Sequence, residues 1–174
     1  MRLFSARSGP IEVLTSDGEF HSFRRQSARW EEDGFVRRRV VPCEPFETFG
    51  ERFLAAMREK QPDIAFLSHV MFRTGLRFDH VEELASHASP EGTWIALDLY
   101  HSFMAMPCEF SRVADRVFLM GGGYKYAMAG EGACFLYCPP GKTPRPRDTG
   151  WFASFGALAA HSNGSVPYGQ DGSR

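Results

Sequence analysis

The sequence predicts an α/β fold: a mostly parallel sheet with helices on both faces. Three observations carry that prediction. Short β-rich runs alternate with helix-like segments along the chain. One of the runs, Asp63–Val70 (DIAFLSHV), is mostly apolar, as a strand covered on both faces must be. With 174 residues, 43% of them apolar and 24% charged, the chain also has the size and composition of one globular domain.

Taken in order, Ile11–Thr15 (IEVLT) is a short strand that ends at the turn-prone trio Ser16–Asp17–Gly18. Phe23–Asp33 reads as a helix stopped by Gly34, and Phe35–Val41 as a second strand ended by Pro42. Glu44–Lys60 is the clearest helix. Phe46, Phe49, Phe53 and Met57 recur at steps of three and four and form one apolar stripe. Pro45 stands near its start, where a missing N–H costs little. Asp63–Val70 is the third strand, and Asp79–His87 a short helix with Asp79 as its cap. Thr93–Leu97 is a fourth strand meeting Asp98, Val117–Met120 a fifth running into glycines, and Ala133–Cys138 a sixth closed by Pro139–Pro140–Gly141. The sixth is the candidate for an antiparallel partner. The remainder, 142–174, is rich in Pro, Gly, Arg and Ser, with one apolar patch at Trp151–Leu158.

Composition excludes some functions. A formal net charge of −1 gives no electrostatic case for nucleic acid or a membrane surface. The basic run Val36–Val40 (VRRRV) reads as a solvated or partner-facing strand. No apolar run is long enough to span a bilayer. No leader is evident, so Cys43, Cys108, Cys134 and Cys138 are expected as reduced thiols in a cytoplasmic protein. The CxxxC spacing puts Cys134 and Cys138 on one face of a strand. Without a second ligand pair nearby they read as small buried apolar groups rather than zinc ligands, so no metal is expected.

The chemistry concentrates at GGGYKYAMAG (121–130). Glycine permits unusual backbone angles and close approach, so a lone lysine there is either solvated or at a site. A phosphate loop is ruled out, because GxxxxGK followed by Ser or Thr is not matched. In parallel sheets ligands bind outside the carboxyl ends of strands. Ser68, Asp98 and Lys125 all fall at or just past such ends. Asp98 and Lys125 are either an ion pair or the two polar ends of a pyridoxal phosphate site. In the second case the lysine amine joins the cofactor aldehyde as a Schiff base, and the carboxylate keeps the pyridine nitrogen protonated. His101 is a candidate neighbour, its alternative being an ordinary satisfied histidine.

Those residues carry a family resemblance. DLYHSF (98–103), GGGYKYAMAGEGACFLY (121–137) and TGWFASF (149–155) resemble the kynureninase branch of the class V aminotransferases. SHVMFRTG (68–75) and TSDGEFHSF (15–23) are similar to the family's upstream segments, so the likeness spans about 11–155. It implies the large-domain fold of aspartate aminotransferase, the cofactor pyridoxal 5'-phosphate, a small amino-acid substrate and a homodimer. By resemblance, Lys125 bonds to the cofactor, Asp98 pairs with its ring nitrogen, and His101 lies against it. Tyr124 reaches the phosphate and Ser68 hydrogen-bonds the cofactor's edge. The stretch Phe20–Phe23 covers the ring, with Phe20 as the stacking residue, and Trp151 lines the phosphate or substrate side.

Two departures bear on the site, the first by removing one polar cofactor contact and the second on the substrate more than on the cofactor. The kynureninase pattern has an aspartate where this chain has Phe23, and its asparagine-containing stretch is here SFMAMP (102–107). Family members are also longer at both ends. The expectation is therefore a central piece of the large domain, 1–160, followed by a flexible tail, 161–174. Its function would be kynureninase-like hydrolytic cleavage, with an aminotransferase or desulfurase-like lyase as the neighbouring reading. A non-catalytic remnant or interaction module is the reading from another class.

Overall fold

The structure, a computed structural model, describes residues 9–89, 92–142, 149–150, 156 and 164–168. Its sheet and helices lie in one compact unit, Ser8–Pro139; the second unit, Met1–Arg7 with Pro140–Arg174, falls largely outside the described residues.

Six strands form a single sheet: β1 (Ile11–Ser16), β2 (Val36–Val41), β3 (Ile64–Ser68), β4 (Trp94–Asp98), β5 (Val117–Gly122) and β6 (Cys134–Tyr137). Their order is β2-β1-β3-β4-β5-β6. The first five are parallel and β6, the expected antiparallel candidate, runs antiparallel to β5. The helices are α1 (His21–Glu32), α2 (Phe49–Glu59) and α3 (Val81–Ser86).

Side chains alternate across each strand, and that alternation builds two unequal layers. On one face Leu14, Ala65, Leu67, Ile95, Leu97, Val117 and Leu119 join Phe49, Phe53, Leu54 and Met57 of α2 and Leu84 and Ala85 of α3 in the main core. On the other face Phe66 of β3 stacks on Phe23 of α1, ring centres 3.6 Å apart. The same face carries Trp94 stacked on Phe118 at 5.1 Å, and it carries Asp98.

Several expectations need correction. The helix expected over Glu44–Lys60 begins as a 3-10 turn, Phe46–Thr48, and becomes α-helical only at Phe49. Pro45 is extended there, and the Arg52 guanidinium takes the carbonyls of Pro42, Cys43 and Pro45 that a helix would otherwise use. Phe46 is consequently exposed, outside the stripe that Phe49, Phe53 and Met57 bury. The next helix starts at Val81 after His80, and Asp79 caps nothing, because it pairs with Arg77.

Cys134 is exposed and Cys138 half-buried. All four residues of β6 are exposed, so no core lies behind them to bury a thiol. The basic run of β2 is satisfied within the chain. Arg37 pairs with Glu12 at 2.9 Å, Arg38 with Glu31 at 2.9 Å, and Arg39 donates to the Lys60 carbonyl. No helix among the described residues is long and apolar enough to cross a membrane.

Candidate functional site

Because five strands run the same way, the carboxyl ends of β1, β3, β4 and β5 open onto one edge of the sheet, and the segments leaving them converge. Asp98 is the last residue of β4, in register with Ser68 at the end of β3 and Met120 of β5. The chain then folds back in a series of turns that carry Tyr100 and His101 beside it. The Tyr100 N–H donates to Asp98 Oδ1 at 2.8 Å, which fixes the carboxylate at the strand's tip.

The glycines of β5 give the lysine its place. β5 runs on through Gly121 and Gly122, two residues further than the sequence suggested. At Gly122 a Cβ would collide with Cε1 of Tyr100 and lie 2.8 Å from its Cζ and 2.9 Å from its hydroxyl oxygen. Glycine is needed there for close approach of a ring, not for an unusual backbone angle. At Gly123 a Cβ would meet the Ala129 Cβ at 2.8 Å and the Ala133 carbonyl at 3.2 Å. The loop is closed by hydrogen bonds from Gly123 N–H to the Ala133 carbonyl (2.6 Å) and from Ala129 N–H to the Gly123 carbonyl (2.7 Å). Replacing Gly122 with alanine is therefore expected to push Tyr100 aside and cost about 1–3 kcal/mol. A urea titration reads this as a lowered midpoint with an unchanged slope.

Lys125 stands in the turn that follows. Its Nζ lies 2.6 Å from His101 Nε2 and over three rings, at 5.1 Å from Phe20, 5.7 Å from Tyr100 and 5.6 Å from Tyr124. Burial holds the Lys125 amine below its ordinary pKa, and Asp98 pulls the other way. Burial and the nearby lysine charge together hold the His101 imidazole down as well. A neutral imidazole at Nε2 suits the lowered His101. Asp98 is pushed above the usual aspartate range, chiefly by burial, against the Tyr100 N–H and the lysine charge. The simple ion pair is not what these residues form: Asp98 acts on Lys125 through space, while Lys125 takes His101 as its polar partner.

Of the residues singled out from sequence, Phe20, Asp98, His101, Tyr124 and Lys125 come together around one amine. Phe20 meets Phe72 edge-on at 5.1 Å and lies 6.5 Å from the His101 ring. Ser68 is at the same edge of the sheet, but its hydroxyl is already spent on Glu19 Oε2, at 2.6 Å. Phe23 lies against Phe66, away from Lys125. Trp151 is outside the described residues. Among the described residues no group of three or more His, Cys, Asp or Glu side chains is placed to hold a metal.

Sequence reasoning missed three participants. Phe72 stacks near His101, with ring centres 6.2 Å apart, and Tyr100 lines the lysine. Glu19 lies wholly buried beneath. An aromatic residue shortly past a strand end is a signal that could have found the first two. Nothing marks Glu19, since a charged residue in a turn ordinarily reads as solvated.

This donor set has a definite chemistry. It offers a partly desolvated amine to an aldehyde, a carboxylate to a protonated ring nitrogen, and the Phe20 and His101 rings to a flat heterocycle. Those are the polar and apolar demands of pyridoxal phosphate.

No protein-family model and no curated protein matches the chain. Solved structures do. A cystine C–S lyase in complex with its product cysteine persulfide superposes with a TM-score of 0.67 at 18% identity, over 84% of this chain and 40% of its own. The cysteine desulfurase of Thermococcus onnurineus NA1 gives 0.63 at 22%, over 79% of this chain and 34% of its own. Histidinol-phosphate aminotransferase from Sinorhizobium meliloti, solved with pyridoxal 5'-phosphate, gives 0.60 at 19%, over 81% and 39%. The chain thus spans between 34% and 40% of the length of these neighbours. Over that span its six-stranded, mostly parallel sheet with helices has the α/β fold of the pyridoxal phosphate aminotransferases and desulfurases.

Proposed function

We propose that this chain binds pyridoxal phosphate through Lys125 and takes part in amino-acid chemistry of the class V aminotransferase type. The observation that supports it is the convergence of Lys125, His101, Asp98 and Phe20 at the carboxyl edge of the sheet. Bound there, the cofactor would supply an electron sink for a substrate carbanion. Lys125 has the desolvation that leaves more of its amine unprotonated and nucleophilic. Asp98 supplies the negative charge for the ring nitrogen, Phe20 a face for the ring, and Tyr124 a hydroxyl for the phosphate.

Within this class the motifs favour kynureninase-like hydrolytic cleavage β to the α-carbon. An aminotransferase or a cysteine-desulfurase-like lyase shares the same cofactor residues. We take the working form to be a cytoplasmic homodimer. A second reading, a non-catalytic interaction module, draws support from β6, where Phe135, Leu136 and Tyr137 all stand exposed.

Titration with pyridoxal phosphate followed by visible absorbance separates the two. The cofactor reading expects a saturable band at about one equivalent. Replacing Asp98 with asparagine removes a charge-assisted hydrogen bond of about 1.5–3 kcal/mol, so affinity should fall about ten- to a hundredfold. A featureless titration of the native chain would favour the interaction module.

A further inference from the structure

One carboxyl at this edge of the sheet is used by nothing described so far. Glu19 sits in the turn between β1 and α1, and no part of it reaches solvent. The Ser16 hydroxyl donates to its Oε1 at 2.5 Å, while the N–H and the hydroxyl of Ser68 both donate to Oε2, at 2.9 and 2.6 Å. Ser16 ends β1 and Ser68 ends β3, so one side chain ties the carboxyl ends of two neighbouring strands. The residue after Glu19 is Phe20, whose ring faces Lys125. The residue in register with Ser68 on the far side is Asp98.

The charged surroundings of Glu19 are one-sided. Asp98, from β4, repels it, and among the described residues no cation acts on it directly; Lys125 faces Asp98 instead, with His101 beyond. On the β1 side the Cys43 thiol, near Ser16 and Asp17, is pushed up to about 11 by burial and stays neutral. Asp17 turns away to accept the Cys43 N–H. A buried carboxylate without a cation is costly. Burial above all, with Asp98 adding to it, pushes Glu19 up to about 7, against the three donors.

We propose that Glu19 is a positioning residue for this site: it clamps the β1 turn to Ser68, which sets Phe20 against Lys125, and it keeps its proton behind Asp98, so that the negative charge at this edge stays on Asp98. The Asp98 charge in turn helps Glu19 hold that proton. A proton on Glu19 removes the repulsion and leaves the negative charge to Asp98. What Asp98 does with that charge rests on the cofactor reading. The clamp and the proton on Glu19 belong to the chain alone.

The test is folding stability against pH, without cofactor, for the native chain and for Glu19→Gln. Glutamine keeps the shape: its oxygen can accept both Ser68 donors and its NH2 can donate to Ser16. An acid whose pKa is raised by folding binds its proton more tightly in the folded state. Its contribution is full below the unfolded value, near 4.5, and is lost as pH rises to about 7. His69 and His101, held down in the folded state, act with the opposite sign, so the comparison must be made between the two proteins. Across that window the native folded-to-unfolded ratio should fall by up to about tenfold per pH unit relative to Glu19→Gln. By carboxyl NMR, the Glu19 titration should move to lower pH when Asp98 is replaced with asparagine, because the Asp98 charge raises it, and a purely structural residue would not show this.

Parallel pH curves, with a Glu19 titration unmoved in Asp98→Asn, would overturn the proposal. If Glu19→Gln does not fold, Ser68→Ala decides. Loss of one donor should move the Glu19 break to higher pH, and an unmoved break would count against the proposal. A native chain that shows the pH difference yet binds no pyridoxal phosphate would defeat the cofactor reading and leave the clamp standing.

Discussion

Replacing Lys125 with alanine abolishes the saturable absorbance band that pyridoxal phosphate gives with the native chain, while the protein stays folded. The two halves of this expectation have separate causes. The band requires a covalent bond to an amine, and Lys125 is the amine set among Phe20, Tyr100, Tyr124 and His101. The fold does not require it, because Lys125 sits in a turn, half-buried, outside the core cluster. Its removal should change stability by about 0.5 kcal/mol or less. Loss of Lys125 also removes the charge that depresses His101, so the imidazole should regain a higher pKa, readable by NMR. A variant that keeps the band would place the covalent bond elsewhere.

The second large effect concerns the core. Phe53 is fully buried in α2, with ring centres 5.9 Å from both Phe49 and Phe78. Truncation to alanine empties a space against the Phe49 and Phe78 rings within the close-packed main core, which relaxes poorly. The expected cost is about 3–5 kcal/mol, against a total of about 5–15 kcal/mol for a typical domain. Urea or thermal unfolding should show a large drop in midpoint. Phe46 is the natural control. It belongs to the same sequence stripe but is exposed, so its alanine variant should change stability by only about 0.5 kcal/mol. Equal losses at both positions would mean that the helix buries a different face.

The contrast between those two phenylalanines shows what periodicity can and cannot tell. A repeat at three and four residues marks an apolar stripe, but not where the helix begins. Pro45 and the Arg52 guanidinium settle that, and the guanidinium's targets are carbonyls, which leave no trace in sequence. The strands were legible because each is a compact β-rich run, and their alternation with helices implied parallel order. The sixth strand is the antiparallel candidate in sequence, and β6 is antiparallel to β5. Its exposure was not legible, because apolar residues such as Phe135 and Leu136 look the same whether or not something covers them.

The site divides in the same way. Lys125 and Asp98 were visible from their positions past strand ends, and His101 from its three-residue step after Asp98. Their meeting depended on glycines whose role is room for the Tyr100 ring, a property of contacts rather than of composition. Ser68 was found, but its engagement with Glu19 was not, since the two are far apart in sequence and neither residue type demands the other.

The most direct test of the account is a peptide map after borohydride reduction of the native chain with pyridoxal phosphate. The lysines available to react are Lys60, Lys125 and Lys142. Lys60 is largely exposed and paired with Glu12 at 3.2 Å, so it is a fair measure of surface reactivity. The account predicts about one label per chain, on Lys125, saturating at low cofactor concentration. Label absent from Lys125, or spread in proportion to exposure over Lys60 and Lys142, would contradict it.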